Sequence, residues 1–305
     1  MKTPAIPSQK QKKVFDKKLL FYIVLMAFPV LQFCVFYIGV NFQSILMAFQ
    51  RYDTLDSKFY FLASDIFSNF KRIFESPKQL GIMFSNTLIA WFFTSFVGTF
   101  IAVLFSLYIY KRKRVGRFFK FVLFIPSILP AILLSGVFQN FVNELIPLLF
   151  GTDKLLDVVK TSTSTQFIVS LAYSVWIGFG TQVLMYTGAM EQISPSVLEA
   201  GQLDGATSWQ EFLHIILPGI LPTVGTFMVA GVALAFTNQI NLYNFFGGSA
   251  RAEVQTIGYY MFKLTSEGVS VKSDYPYLSA LGLVCTLVAV IPTFLLRKYF
   301  AKFEE

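Results

Sequence analysis

The sequence predicts an all-α integral membrane protein with six membrane-spanning helices, and three observations carry that prediction. The 305 residues are 55% hydrophobic and 17% aromatic but only 14% charged. The charges leave six windows free of Asp, Glu, Lys and Arg: residues 19–50, 79–110, 121–143, 161–190, 212–250 and 275–296. The shortest of these is 22 residues long, and about 20 apolar residues suffice for a helix to cross a bilayer. Within them, stretches such as 21–47 and 91–110 are almost continuously apolar. A membrane β-barrel would instead alternate apolar and polar residues over segments of about 10. A soluble domain is excluded.

The spans follow in order. The first is expected over roughly 19–44 as an uncleaved helix, because no small-x-small cleavage pattern follows it closely. A loop over 51–78 comes next, in which Phe67, Phe70, Ile73 and Phe74 sit on one apolar face of a short surface helix. The second span is expected at about 84–110, and the third at 118–141 with kinks at Pro126 and Pro130. A polar loop over 144–164 leads to a fourth span at 166–189. A loop over 191–217, a fifth span at 219–243, a loop to Asp274 and a sixth span to Leu296 complete the chain. The organisation is thus a tail over 1–18, one membrane domain over 19–296 and a tail over 297–305.

Orientation is read from the basic residues, which are retained on the cytoplasmic side. With the N-terminus inside, the inner segments hold six basic residues in the run Lys111–Lys120 and six more before residue 19, and the net charge of +8 falls inside. Both termini are therefore expected in the cytoplasm of a multi-pass plasma-membrane protein. The basic excess is a topology signal rather than a nucleic-acid footprint. Cys34 and Cys285 each lie in an apolar window, so no disulfide framework is expected.

Several chemistries are missing from the sequence. His214 is the only histidine, which removes His-based metal clusters and a Ser-His-Asp triad. No Gly-Lys dipeptide occurs, so the chain carries no Walker A loop and would hold no nucleotide by one. No catalytic residue and no metal ligand set is assigned. Ion-coupled transporters place an Asp, Glu, Arg or Lys inside a spanning helix, and none lies in the six windows. A transporter built this way needs energy from another polypeptide and carries a neutral polar solute.

The loop over 191–217 breaks the charge rule: it holds Glu191, Glu199, Asp204 and Glu211 with no Lys or Arg. Ser194 followed by Pro195 starts a short helix, Gly205 breaks it, and Ser208 to Glu211 reads as a capping box opening a second helix that stops at Pro218. Val197, Leu198, Phe212 and Ile215 give this hairpin apolar surface to bury. A cytoplasmic partner or the membrane surface could cover it, and four acids disfavour anionic headgroups.

Glu199-Ala200-Gly201, then three residues and Gly205, then nine residues and Ile215-Ile216-Leu217-Pro218, resembles the EAA loop of ABC importer permeases at every spacing, with Gly201 in place of a second alanine. That resemblance implies a type I ABC importer permease fold. It also implies that Glu199, Ala200, Gly201, Asp204, Gly205, Ile215, Leu217 and Pro218 couple this chain to an ATP-binding subunit. Residues 67–74 followed by Asn86-Thr87-Leu88, Phe124-Ile125-Pro126 and Trp176-x-Gly178 are similar to the first permease of carbohydrate importers of the maltose and glycerol-phosphate type. The expected partners are a second related permease, an ATPase dimer that holds ATP and magnesium, and an extracytoplasmic substrate-binding protein.

A neutral sugar in an apolar medium needs hydrogen-bond partners in place of water. The fourth span offers Tyr173, Ser174, Trp176, Thr181 and Gln182, and Asn238 and Asn241 would share a face of the fifth. Such residues can equally hold helices together. The resemblance implies Ser174, Gly178, Thr181 and Asn238 as sugar contacts, with Trp176 beside them, while Ala235 stands where the family has another asparagine. The expected function is carbohydrate import, with an oligosaccharide as solute. A permease for an amino acid or phosphate ester, or a membrane enzyme or channel, are the rival readings.

Overall fold

The computed structural model describes residues 17–62, 65–266 and 272–303. Six helices among them are long and apolar enough to cross a membrane: Leu20–Met47, Pro77–Lys111, Ala131–Phe150, Thr163–Glu191, Ser208–Ala233 and Lys272–Phe303, termed the first to sixth spans. Of the expected tails at 1–18 and 297–305, residues 1–16 and 304–305 fall outside the described residues. The helix Asp274–Phe300 continues through residues 297–300, with Arg297 and Lys298 in its last turn, where cations meet its negative end.

The first span is exposed along residues 20–45. Only its end packs within this chain, where buried Ala48 and the ring of Phe49 join the sixth span. An antiparallel hairpin follows that the sequence did not announce, with Gln50–Asp53 pairing Lys58–Phe61 and Gln50 opposite Phe61. The surface helix Ser68–Ile73 is present. Ile73 faces the core while Phe67 and Phe74 remain outward. Asn69 explains why this segment holds its place: its side-chain amide donates to the carbonyls of Ala48 and Gln50 at 2.9 and 2.8 Å.

The second span begins earlier than expected, with Pro77 in the first turn after Ser76. That is where a missing N–H costs nothing. A widened turn over Phe93–Val97 interrupts it midway. Asn86 donates to the carbonyls of Glu253 and Gln255, and Thr87 Oγ1 accepts from Ile257 N–H at 3.0 Å, so this end of the span holds the long loop after residue 233.

The third span differs most from expectation. A helix Lys113–Ile128 carries Pro126, the chain then extends at Leu129 and Pro130, and a new helix starts at Ala131. Proline forces its predecessor out of the helical region, so Pro130 breaks the helix instead of kinking it. The piece ending at Ile128 crosses the fourth span tightly: a Cβ added to Gly180 would lie 2.2 Å from the Leu123 carbonyl oxygen. Second and fourth spans are tied by Ser106 Oγ, 3.1 Å from the Val183 carbonyl, and by the Tyr186 hydroxyl on Thr99.

The fifth span also departs from its predicted bounds. It ends at Ala233 rather than near 243, giving way to a tight turn Ala235–Thr237 and an extended Asn238. Ile240 and Asn241 then adopt positive φ of 44° and 58°. Asn238 and Asn241 therefore do not share a helix face. The short helices Leu242–Phe246 and Ile257–Ser266 follow. The second packs backbone to backbone on the break, since a Cβ on Gly258 would meet Asn238 O at 2.7 Å. Non-helical backbone at membrane depth is tolerated where protein covers it or a polar cavity adjoins it. Here both conditions hold.

Candidate functional site

The hairpin between the fourth and fifth spans is built by its own sequence. Pro195 occupies the first turn of the helix Pro195–Leu203. The Ser194 hydroxyl turns to Ser196 and caps nothing, contrary to expectation. The helix ends in paired bonds from Ala206 N–H to Gly201 O and from Gly205 N–H to Gln202 O, with Gly205 at φ +80°. This is the left-handed helix stop that favours glycine.

The capping box lies one residue earlier than expected. Thr207 Oγ1 accepts from Gln210 N–H and Gln210 Oε1 from Thr207 N–H. Glu211 is unavailable for capping because its carboxylate, 5% exposed, pairs with Lys111 at 3.0 Å. The second helix does not stop at Pro218. It widens over Phe212–Ile216, where Leu217 N–H reaches back to the Phe212 carbonyl, and continues as the fifth span. The wider turn accommodates a ring that would clash with a regular one.

The coupling residues expected from the sequence thus fall into two sets. Glu199, Ala200, Asp204 and Gly205 are exposed on the hairpin. Gly201, Ile215 and Leu217 pack it to the bundle, and a Cβ on Gly201 would come within 2.7 Å of Ile215 Cδ1. Pro218 is exposed beside them. Phe212 is buried within the chain and Leu198 and Ile215 partly so, so they are not surface left for a partner. Besides Val197 and Leu213, the apolar surface left outward belongs to Leu203, 88% exposed, and Trp209, 58% exposed. The sequence reading passed over both, although a leucine and a tryptophan flanking a glycine stop are a signal.

A cavity of about 500 Å³ lies between the second, fourth and fifth spans, against the helix break. Trp91, Thr94 and Ser95 come from the second span in and beside its widened turn, Gln182 from the fourth, Phe227, Ala230 and Gly231 from the fifth, and Leu234, Ala235, Thr237 and Asn238 from the break after it. No charged residue lines it. Asn238 Oδ1 accepts from Ile240 N–H at 2.8 Å, so part of its amide shapes the turn. Trp91 Nε1 and Gln182 Oε1 are buried without a hydrogen-bond partner among the described residues.

Of the five predicted substrate contacts, Asn238 alone lines this cavity. Ser174 donates to the Ser170 carbonyl and accepts from Asn241 Nδ2 at 3.1 Å, which joins two segments. Trp176, 45% exposed, lines an almost wholly apolar groove with Phe93, Val175 and Phe179. Thr181 is exposed, and nothing lies within 4 Å of where a Gly178 Cβ would be. Trp91, Thr94 and Ser95 were missed, because nothing in an apolar helical run marks which hydroxyls a widened turn will aim inward.

Six spans, a broken helix beside an uncharged cavity and an acidic hairpin define a multi-pass membrane transport component. Residues 94–303 match the family described as binding-protein-dependent transport system inner membrane component, and the chain belongs to it. It is 22% identical over 280 residues, 90% of this chain and 93% of the other, to the multiple sugar-binding transport system permease MsmF of Streptococcus mutans. It is 24% identical to the sn-glycerol-3-phosphate permease UgpA of Pectobacterium atrosepticum, covering 77% of this chain and 78% of that one. The solved structure of a bacterial ABC transporter that imports the acidic polysaccharide alginate superposes with a TM-score of 0.75 at 18% identity, over 95% of this chain and 98% of that one. The fold is that of ABC importer permeases.

Proposed function

We propose that this chain is the membrane subunit of an ATP-driven importer of neutral oligosaccharide. The cavity carries the reading: amide, hydroxyl and indole groups beside a helix break, with no charge among them, suit a polyol and disfavour an anion. The sugar-permease relative supports the same solute class. In this reading a second, related permease completes the pathway and covers the stripe of Ser174, Gly178 and Thr181. ATP and magnesium are held by two ATPase copies, one docking on Glu199, Leu203 and Trp209. An extracytoplasmic binding protein delivers the sugar, as a periplasmic protein does in the alginate complex. The hairpin and both termini then face the cytoplasm, and switching between inward- and outward-open states passes through the hairpin. The test is ATP-dependent uptake by the assembled transporter in proteoliposomes, with labelled maltotriose, raffinose and glycerol 3-phosphate. Uptake of a neutral oligosaccharide is expected. Uptake of glycerol 3-phosphate alone would overturn the reading.

A further inference from the structure

We propose that Trp91 and Gln182 are a substrate-selecting pair, so that the second span, which the sequence left out of the pathway, supplies one wall of the solute site. The inference rests on the reading of the chain as a neutral-solute permease and adds which atoms recognise the solute.

Buried polar atoms in folded proteins are almost always paired, and an exception calls for a physical reason. Two of the three exceptions among the described residues, Trp91 Nε1 and Gln182 Oε1, belong to side chains that line one cavity. The third, the Tyr173 hydroxyl, sits elsewhere among Phe138, Trp176 and Phe245. The Trp91 indole is held edge-on by Phe96 at 5.3 Å, within the turn over Phe93–Val97. Across from it the fifth span carries Gly231. A Cβ there would lie 2.4 Å from Ser95 Oγ and 3.9 Å from Trp91 Nε1. A side chain at 231 would collide with Ser95 Oγ and lay a methyl against Trp91 Nε1, so glycine keeps this wall of the cavity clear.

The chemistry of the pair sets the solute. An indole N–H only donates, and a carboxamide oxygen only accepts. A hydroxyl-bearing molecule satisfies both, since each hydroxyl donates and accepts. A phosphate dianion or carboxylate would answer Trp91 but set its negative oxygens against Gln182. Two of the lining hydroxyls already donate within the chain, Thr94 to the Ala90 carbonyl and Thr237 to that of Leu234. They are left as acceptors, which again favours a solute rich in hydroxyl donors.

The test is the initial uptake rate of maltotriose and raffinose by the assembled transporter in proteoliposomes, measured over a concentration series. Trp91→Phe keeps an aromatic ring and removes the donor; Gln182→Met keeps the length and removes the acceptor. Each should raise KM about two- to ten-fold, the range set by one lost neutral hydrogen bond, with the maximal rate held and the complex recovered in wild-type yield. Gly231→Ala should raise KM as well, with both polar side chains intact. Wild-type KM in Trp91→Phe and Gln182→Met, or a fall in maximal rate alone, would overturn the pair while leaving the neutral-solute reading standing. A wild-type transporter that takes up glycerol 3-phosphate and neither sugar would overturn that reading and the pair with it.

Discussion

Lys111 Nζ stands 3.0 Å from Glu211 Oε2, joining the last residue of the second span to the turn where the hairpin becomes the fifth. Glu211 is buried and Lys111 about one-third exposed, so the carboxylate depends on this partner. The second span also carries Trp91 and Ser95 at the cavity. One span therefore runs from the cavity, through its widened turn, to the hairpin base.

Lys111→Met should leave Glu211 buried and unpaired, lowering stability by about 1–3 kcal/mol. Lys111→Met combined with Glu211→Gln should recover part of that loss. Thermal unfolding in detergent of the two single variants and the double variant gives the coupling. Strict additivity would show that the contact contributes nothing.

Gly205→Val places a β-branched residue at φ +80°, where a side chain costs roughly 1–2 kcal/mol. Glu199→Lys and Leu203→Asp change the exposed hairpin without touching the bundle. All three proteins should insert normally and lose substrate-stimulated ATP hydrolysis in the assembled complex. Full stimulation in all of them would exclude the hairpin as the ATPase dock.

Six spans were legible because a charge-free apolar window of more than about 20 residues fits a membrane crossing and little else. The hairpin was legible because Gly205 and the flanking acids break local rules. What the sequence did not disclose depends on tertiary geometry. Pro218 stops a regular helix yet passes through a widened turn, and Asn238 reads as helical until Gly258 packs against its backbone. The β-hairpin at 50–61 held no pattern distinct from an ordinary loop, and its anchor Asn69 acts through two carbonyls rather than through its own neighbours.

Asp157 gives a pH prediction on the segment before the fourth span. Its carboxylate accepts from the N–H groups of Lys160 and Val159, which hold its pKa below the ordinary 3.8. Because the folded value is the lower one, this order is present above the ordinary value and lost as pH falls through the folded one. Hydrogen exchange at Val159 and Lys160 should be steady from pH 7 to 5, after correction for intrinsic rates. Asp157→Asn should accelerate it at neutral pH, and an unchanged rate would count against the turn.

Transport should need no ion gradient. No charged side chain lies in the six apolar windows, and coupling ions require such groups. Collapsing the proton and sodium gradients in turn, with ATP held constant inside proteoliposomes, should leave sugar uptake unchanged. Loss of uptake on removing either gradient would reveal a coupling site elsewhere.

The helix break itself can be tested from two sides. Asn238 lines the cavity, while its Oδ1 takes the Ile240 N–H at 2.8 Å and its carbonyl takes the Thr256 hydroxyl at 2.9 Å. Asn238→Ala removes the side-chain amide from both the cavity and the turn, and one or two lost bonds predict roughly a ten-fold fall in uptake. Gly258→Ala leaves Asn238 in place but drives a methyl to 2.6 Å from the Thr237 carbonyl carbon, which displaces the same segment from behind and should reproduce the fall. Asn244 is exposed and bonds only the Asn241 side chain at 3.1 Å, so Asn244→Ala should cost less than about two-fold. Normal uptake in Asn238→Ala together with strong loss in Asn244→Ala would move the pathway away from the break and onto the paired permease.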